Sequence, residues 1–331
     1  PRWSLENTTF QTVLLELLQS EDIASKEWII RQYDHEVQGK SVLKPLLGPM
    51  GGPADATVIR GVLGRPRGIL IGIGLRHHLG PIQPYEMAVG GIVEAIANCV
   101  ASGADPEQIA LLDNFCWGDC RRPESLGTLV EACRGCYEAA VALRAPFVSG
   151  KDSLNNEYIG NDGERHAVPP TLVITAVAHV PDANRCVTPD LAEAGNVLML
   201  LGSTDSEFAG SHLDKVLGAP PVAGAAPAPD PDAPNRYRHL HAAMQAGLVA
   251  ACHDVSEGGL AVALGEMCLA GRLGATIDVL PHDDLSTSLF SESLGRLVVE
   301  IKPRSVAAFK RIMDDECLQI GEVSESGMLS L

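Results

Sequence analysis

The chain has 331 residues, a formal net charge of −17 and 46% apolar residues. That length and composition suffice for two domains with sizeable cores. The acidic balance argues against a nucleic-acid partner, because no basic field is present to release counterions. No apolar run approaches the roughly 20 residues of a membrane span, and no secretory leader is visible. We therefore expect a cytoplasmic protein with no membrane partner. Because the chain starts at Pro1 and opens directly into a helical pattern, we expect a piece of a longer protein.

Helical and strand patterns alternate along the whole chain. The predicted helices cover residues 9–19, 25–33, 85–102, 125–143, 236–246, 259–270 and 306–313. The predicted strands cover residues 42–44, 56–60, 68–74, 109–113, 171–180, 196–201, 276–279 and 296–301. Because strands and helices mix throughout, the pattern predicts an α+β fold, with α/β two-layer packing in each unit.

Composition divides the chain into three parts. Residues 1–40 predict a helical linker segment, residues 41–185 a first domain and residues 192–331 a second. The break falls near residues 181–195, and the Ala/Pro-rich stretch 218–235 predicts a loose surface loop.

Two polar segments carry the strongest chemical signal. Residues 148–157 combine Gly150, Lys151 and Asp152 with serines and asparagines, which predicts a loop that presents backbone N–H groups and charges to an anion. Residues 253–260 have a similar character and enter a predicted helix, whose N-terminus favours phosphate. The alternative for this second segment is a simple N-cap by Asp254 or Ser256. Together the two segments indicate phosphate chemistry.

Glu94 and Asn98 lie four residues apart on one predicted helix, so their side chains share a face. Their oxygens suit Mg²⁺, although a solvated helix face is the plainer interpretation. Asp55 follows a Gly-rich turn and, taken alone, is a weak signal.

The histidine and cysteine pairs are weaker indications of a metal site than the carboxylates. His77 and His78 are adjacent, and neighbours in a helix or a strand point apart, so we expect loop or surface histidines. The pairs Cys116/Cys120 and Cys133/Cys136 approach zinc-ligand spacing. However, the second pair lies within helical composition, which favours buried free thiols.

Six segments together resemble one enzyme family. In chain order they are residues 31–39, 53–56, 90–98, 113–118, 148–156 and 253–260. They are similar to the second half of phosphoribosylformylglycinamidine synthase, whose catalytic chain holds two copies of a module shared with aminoimidazole ribonucleotide synthetase. The resemblance implies two such modules here, an N-terminal and a C-terminal one. It covers nearly the whole chain.

The resemblance also implies roles for single residues. Asp113 and Gly150 match ATP contacts, and Ser153 matches a contact to formylglycinamide ribonucleotide. Lys151 stands where short-chain members often carry a metal-binding Asn, and its ammonium would instead pair with phosphate. A second, auxiliary nucleotide is implied, with ATP or ADP and Mg²⁺ as cofactors. Its metal ligands match Asp55, Glu94, Asn98 and Asp254, with Ala54 and Ser256 near the nucleotide.

The implied activity is that of an ATP-dependent C–N ligase of purine biosynthesis, supplied with ammonia by a glutaminase partner. The family's catalytic histidine belongs to the first half, so we expect no catalytic residue of that kind here and no turnover by this chain alone. Without the first half as its partner, the chain is expected to form a homodimer. Two alternatives stay open: a complete aminoimidazole ribonucleotide synthetase-like enzyme, and a non-catalytic nucleotide-binding scaffold.

Overall fold

The computed structural model describes residues 9–218, 225–314 and 316–331. Its α-helices in these ranges are α1 (Phe10–Gln19), α2 (Glu27–Ile30), α3 (Pro84–Ala101), α4 (Pro123–Ala142), α5 (His212–Val216), α6 (Ala233–Gln245), α7 (Gly259–Gly271), α8 (Leu285–Phe290) and α9 (Val306–Ile312). The strands are β1 (Ser41–Leu43), β2 (Leu46–Leu47), β3 (Gly52–Pro53), β4 (Ala56–Ile59), β5 (Gly68–Gly74), β6 (Ile109–Cys116), β7 (Phe147–Ser153), β8 (Glu157–Ile159), β9 (Arg165–Ala167), β10 (Thr171–Val180), β11 (Val197–Leu201), β12 (Val249–Val255), β13 (Gly274–Ile277), β14 (Arg296–Ile301), β15 (Leu318–Ser324) and β16 (Leu329–Ser330).

The first sheet has the strand order β1-β4-β5-β10-β6-β7. Its pairs are antiparallel except β6 with β7, which run parallel. Burial alternates strictly along β10, as it must when helices cover only one face of a sheet. Helices α3 and α4 cover that face, and the opposite face carries the exposed Ile69 and Ile73. This second surface is called the open face below.

The second sheet has the order β12-β14-β11-β15-β13-β16. Helix α3 packs against strands of both sheets, so the two modules share one large core around it. Its sequence is apolar on nearly every side, which is typical of a helix buried all round. Gly74 and Gly91 let α3 approach β5, since a Cβ atom at Gly74 would collide with the Gly91 carbonyl.

The predicted α+β fold is confirmed, while several local predictions are wrong. The segment after Phe147 is not a loop: it forms the edge strand β7 as far as Ser153. His253 and Asp254 also lie on a strand, β12, rather than in a loop. The predicted helix at 25–33 shrinks to α2. Residues 1–8 and 219–224 of two predicted segments lie outside the described residues. No described helix is long and apolar enough to cross a bilayer.

Candidate nucleotide and metal site

A cleft of about 680 Å³ opens where the entry to β4 meets β12 and the start of α7. One part of its lining is apolar and comes from Leu18, Ile23, Ile71, Ile73 and Leu269. Another part is polar and comes from Asp55, Asn98, His253, Asp254, Ser256 and Glu266. The cleft therefore offers an apolar surface next to a concentration of carboxylates, and Ala54 lines it too.

Asp55 sits at the polar end, directly before β4. Its Oδ1 lies 2.5 Å from Nδ1 of His253. Its Oδ2 is buried and has no hydrogen-bond partner among the described residues. Burial raises the pKa of Asp55 to about 6, against the opposing influence of His253. An unsatisfied buried carboxylate oxygen of this kind is suited to receive a cation.

His253 lies between two carboxylates and was missed in the sequence. Its Nε2 is 3.0 Å from Oε2 of Glu266, while its Nδ1 faces Asp55. Burial acts to lower the pKa of His253, but the two carboxylates raise it well above its usual range. The only sequence signal was its position next to Asp254, at the head of the second polar segment.

Glu94 and Asn98 both point from α3 toward the end of β5. Glu94 Oε2 accepts a hydrogen bond of 3.0 Å from the backbone N–H of Leu75 and lies 3.5 Å from Nε of Arg76. Asn98 donates its Nδ2–H to the carbonyl of Ile73 at 2.8 Å, which leaves Oδ1 available to a cation. Only 10% of the Glu94 side chain is exposed, so the solvated helix face is excluded. Burial raises the pKa of Glu94 to about 8, although Arg76 opposes it.

These oxygens fit a hard divalent cation. Asp254 raises the pKa of both Asp55 and Glu94, so its carboxylate is near enough to repel each of them. Glu257 is a further carboxylate at this end, and its pKa is raised to about 7 by burial. Carboxylate and amide oxygens are the ligands that Mg²⁺ takes in proteins, together with phosphate and water.

The start of α7 has no side-chain cap. Gly258 is the N-cap, with a φ of 75°, and no side chain caps the helix. Its N–H donates to Oε1 of Glu292 at 2.8 Å. The alternative of an N-cap by Asp254 or Ser256 is therefore wrong, and the N–H of Gly258 is already bonded to the carboxylate of Glu292. Ser256 lines the cleft beside this turn.

The remaining predicted residues lie at the β6–β7 edge of the first sheet. Asp113 pairs in register with Gly150, and Asn114 with Lys151. A Cβ atom at Gly150 would lie 2.6 Å from Cγ of Asp113, so a larger residue there would force this carboxylate to move. Burial and Asp152 raise the pKa of Asp113.

Side chains along a strand point alternately to opposite faces of the sheet, so the residues at the β6–β7 edge lie on two different faces. Asp113, Gly150 and Asp152 lie toward α4, whereas Lys151 and Ser153 lie on the open face. There the ammonium of Lys151 contacts Oγ of Ser153. Asp152 therefore points away from Lys151, and Glu157 pairs with Arg122 and Arg165 instead.

The residues of the cleft and the residues of the β6–β7 edge do not form one site. Strand order places β5 and β10 between β4 and β6. Strand β4, beside the cleft, and strand β6, at the polar edge, are therefore three strand spacings apart, which is roughly 14 Å. The chain thus carries a cleft with a cation-suited end and, apart from it, a polar sheet edge.

Comparison with known proteins agrees with this architecture. The profile of the AIR synthase related protein N-terminal domain matches residues 62–180, and that of the C-terminal domain matches residues 193–331. The chain therefore belongs to the AIR synthase related family, and within it to the type represented by the PurL subunit of phosphoribosylformylglycinamidine synthase.

Two curated relatives have that name. The Lactobacillus helveticus protein is 32% identical over the whole chain, which covers 42% of it. The Thermosynechococcus vestitus protein is 36% identical over 90% of the chain, which covers 39% of it. The chain thus spans about two fifths of the length of these relatives. A solved structure of Thermotoga maritima PurL complexed with FGAR has the same fold, with a TM-score of 0.69 at 19% identity, over 96% of this chain and 50% of that one.

Proposed function

We propose that this chain supplies the C-terminal half of a phosphoribosylformylglycinamidine synthase and that its cleft holds an auxiliary adenine nucleotide with Mg²⁺. The observation that carries the proposal is that Asp55, Asn98 and Asp254 line the cleft beside an apolar surface, with the buried Glu94 near enough to Asp254 for that carboxylate to raise its pKa. In the parent reaction ATP would activate the amide oxygen of formylglycinamide ribonucleotide, and ammonia would displace the phosphate.

The cleft accommodates the two ends of a nucleotide differently. A base would pack against Ile71, Ile73 and Leu269, and the phosphates would extend past Ala54 and Ser256 toward the carboxylates. Mg²⁺ held by Asp55, Glu94, Asn98 and Asp254 would neutralise phosphate charge. Solved structures of Thermotoga maritima PurL complexed with ATP and with ADP support nucleotide binding by this fold.

The β6–β7 edge would contribute to a composite catalytic site completed by the first half of the parent chain. Lys151 and Ser153 already face the same open side of the sheet, where a partner module has access. Lys151 would pair with phosphate, Ser153 would contact formylglycinamide ribonucleotide, and Asp113 with Gly150 would contact ATP. A cytoplasmic glutaminase would supply ammonia, since this chain shows no glutaminase nucleophile pattern in its sequence.

The open face would be the surface that the first half covers. Ile69 on β5 is 47% exposed and its cross-strand neighbour Ile59 on β4 is 37% exposed, which is unusual for branched apolar residues within a sheet. In the isolated chain a second copy is the simplest substitute, since identical faces pair about a two-fold axis.

Calorimetric titration of the purified chain with ADP in the presence of Mg²⁺ tests the cleft. Wild type is expected to bind one equivalent, and Glu94→Gln to bind at least tenfold more weakly because one cation ligand loses its charge. Glu124→Gln, on the exposed first turn of α4, is the matched control and should bind like wild type. If Glu94→Gln binds as tightly as the control, the nucleotide does not use this cleft.

A turnover assay tests the half-enzyme assignment. The chain alone, given ATP, Mg²⁺, ammonia and formylglycinamide ribonucleotide, is expected to release no phosphate above an Asp113→Ala control. Turnover above that control would instead identify a complete enzyme.

A further inference from the structure

A second cluster of ligating side chains lies beside the cleft, and nothing in the proposed reaction uses it. It draws on three separate segments: Asp22 follows α1, His77 and His78 form the turn between β5 and α3, and His212 begins α5. One ligand atom from each of Asp22, His77 and His78 lies within 4.8 Å of the others.

The two adjacent histidines converge, contrary to the sequence expectation. They occupy a 3₁₀ turn, and their ring centroids are 3.8 Å apart. Nε2 of His78 lies 3.2 Å from Oδ2 of Asp22. The ring of His212 stands edge-on to that of His78 at 5.1 Å. Three imidazoles therefore surround one carboxylate.

His212 supplies an independent sign of a missing ligand. The residue is only 3% exposed, and its Nδ1 lies 3.0 Å from Oε1 of Glu292. Its Nε2 is buried, has no hydrogen-bond partner among the described residues, and lies 3.6 Å from Oδ2 of Asp22 and 3.8 Å from Oε1 of Glu257. A histidine whose Nδ1–H is held by a carboxylate, with a free Nε2, has the arrangement typical of metal ligands.

We propose that Asp22, His77, His78 and His212 bind a divalent transition metal, with Zn²⁺ as the best match. Three imidazole nitrogens and one carboxylate oxygen are a donor set suited to zinc in tetrahedral geometry. Ligand atoms bonded at 2.0–2.1 Å would lie roughly 3.3 Å apart, so the cluster must contract when the metal enters.

The four side chains of the cluster differ in how their surroundings shift the pKa. Burial lowers the pKa of both His77 and His78, which keeps their rings neutral and able to donate a lone pair. Partial burial acts to raise the pKa of Asp22, but hydrogen bonds from Lys215 and His78 lower it to about 2. Burial acts to lower the pKa of His212, but the carboxylates of Glu292 and Glu257 raise it, so a metal must displace a proton from that ring.

Lys215 is the competitor that the metal must displace. Its Nζ lies 2.6 Å from Oδ2 of Asp22, the oxygen on which His78 and His212 also converge. The lysine side chain is 47% exposed, so its ammonium can move into water when a metal takes its place. Removing this ammonium should strengthen metal binding. If the cluster were only a set of structural ion pairs, the same change would not strengthen metal binding.

This site differs from the carboxylate end of the cleft in residues and in chemistry. The cleft site offers mainly oxygens, which suit Mg²⁺, whereas imidazoles dominate here. A metal at the new site would join the segment after α1 to the first module through His77 and His78, and to the second module through His212. It would act as a cross-link that stabilises the whole chain.

The test uses the full chain, stripped with EDTA, and the metal alone as the probe. Titration with ZnCl₂ is expected to show one equivalent bound with a submicromolar Kd, and Co²⁺ substitution should give the intense visible absorption of a tetrahedral centre. His212→Gln and His78→Gln should each weaken zinc binding at least tenfold and remove that absorption. Lys215→Met should strengthen zinc binding several-fold.

Two controls separate this site from other metal-binding groups. His179→Ala removes an exposed histidine on the open face and should change nothing. Asp55→Asn alters the neighbouring group formed with His253 and Asp254, and should keep the cobalt spectrum. Circular dichroism identifies any variant that fails to fold. The proposal is overturned if the folded His212→Gln and His78→Gln variants bind zinc like wild type, or if Lys215→Met weakens binding.

Discussion

Nδ1 of His253, on β12 of the second module, lies 2.5 Å from Oδ1 of Asp55, at the entry to β4 in the first. Both side chains are nearly inaccessible, with 7% and 2% of their surfaces exposed. The other ring nitrogen of His253 contacts Glu266 on α7. One imidazole thus connects the two modules at the polar end of the cleft and offsets the charge of two carboxylates there.

Replacing His253 by Ala should destabilise the chain by about 3–5 kcal/mol, because it leaves Asp55 buried without its partner. Urea unfolding measures the change. In the double variant His253→Ala with Asp55→Asn, the loss should be smaller than the sum of the single losses, since no isolated buried charge remains. His179→Ala serves as an exposed-histidine control. Strict additivity of the two substitutions would show that the pair is not coupled.

Gly150→Ala tests the steric relationship between β7 and β6. The new methyl group would overlap the carboxylate of Asp113, so the variant should lose about 1–3 kcal/mol of stability. Adding Asp113→Ala should restore part of it, because the atoms that clash are gone. Gly127→Ala on α4, where a Cβ atom has open space, should be neutral or stabilising. Equal stability of the Gly150→Ala and Gly127→Ala variants would contradict this packing.

The burial of Glu300 should make the stability of the chain depend on pH. Glu300 is fully buried on β14 and accepts hydrogen bonds from the N–H groups of Ala192 and Glu193 and from Asn196. Burial raises its pKa above the ordinary value of 4.5. Its contribution to stability is therefore full below pH 4.5 and is lost as pH rises through the folded-state pKa.

Urea unfolding of wild type and Glu300→Gln between pH 4.5 and pH 8 checks this sign. The free energy of unfolding of wild type, relative to that of the variant, should fall as pH rises. Glu322→Gln changes an exposed carboxylate on β15 and should follow wild type at every pH. A wild-type advantage that grows with pH would mean that hydrogen bonds, rather than burial, dominate the titration of Glu300.

The sequence predicted the helices and strands that have a strong apolar periodicity. It did not predict those whose conformation depends on pairing with a distant part of the chain. Helix α3 has an apolar pattern and begins at Pro84, and β10 is rich in β-branched residues, so both were found nearly to their ends. Strand β7 was missed because Gly, Lys, Asp and Ser have low strand propensity. Its conformation depends on parallel pairing with β6, which local sequence does not encode.

The site residues likewise include some that sequence spacing placed correctly and others that only tertiary packing brings together. The spacing of Glu94 and Asn98 was enough to place them on one helix face, and both reach the end of β5. The meeting of His253 with Asp55 depends on how the two modules pack, and no spacing rule contains that information. His77 and His78 were expected to point apart, as in a helix or strand, whereas their 3₁₀ turn brings the rings together.

Charge introduced on the open face should prevent self-association. Ile69→Lys places an ammonium among the exposed apolar residues of β5, where a second copy would have to bury it at a cost of several kcal/mol. Sedimentation velocity at micromolar concentration should show a dimer for wild type and a monomer for the variant. Tyr137→Lys, on the exposed side of α4, should leave the dimer intact. If the α4 variant dissociates and Ile69→Lys does not, association uses the helical side instead.

Lys151 provides the last prediction, because its exposed ammonium touches Ser153 on the open face, the side proposed for the composite catalytic site. In the full-length parent enzyme, Lys151→Asn should lower kcat and shift the Mg²⁺ dependence, since a fixed positive charge is exchanged for an amide that can ligate a metal. The control is Lys302→Asn, a half-exposed lysine of the second module that pairs with Glu193. Kinetics like those of this control across a Mg²⁺ titration would make Lys151 an ordinary surface residue. A lower kcat with an altered Mg²⁺ optimum would assign its ammonium to the phosphoryl group.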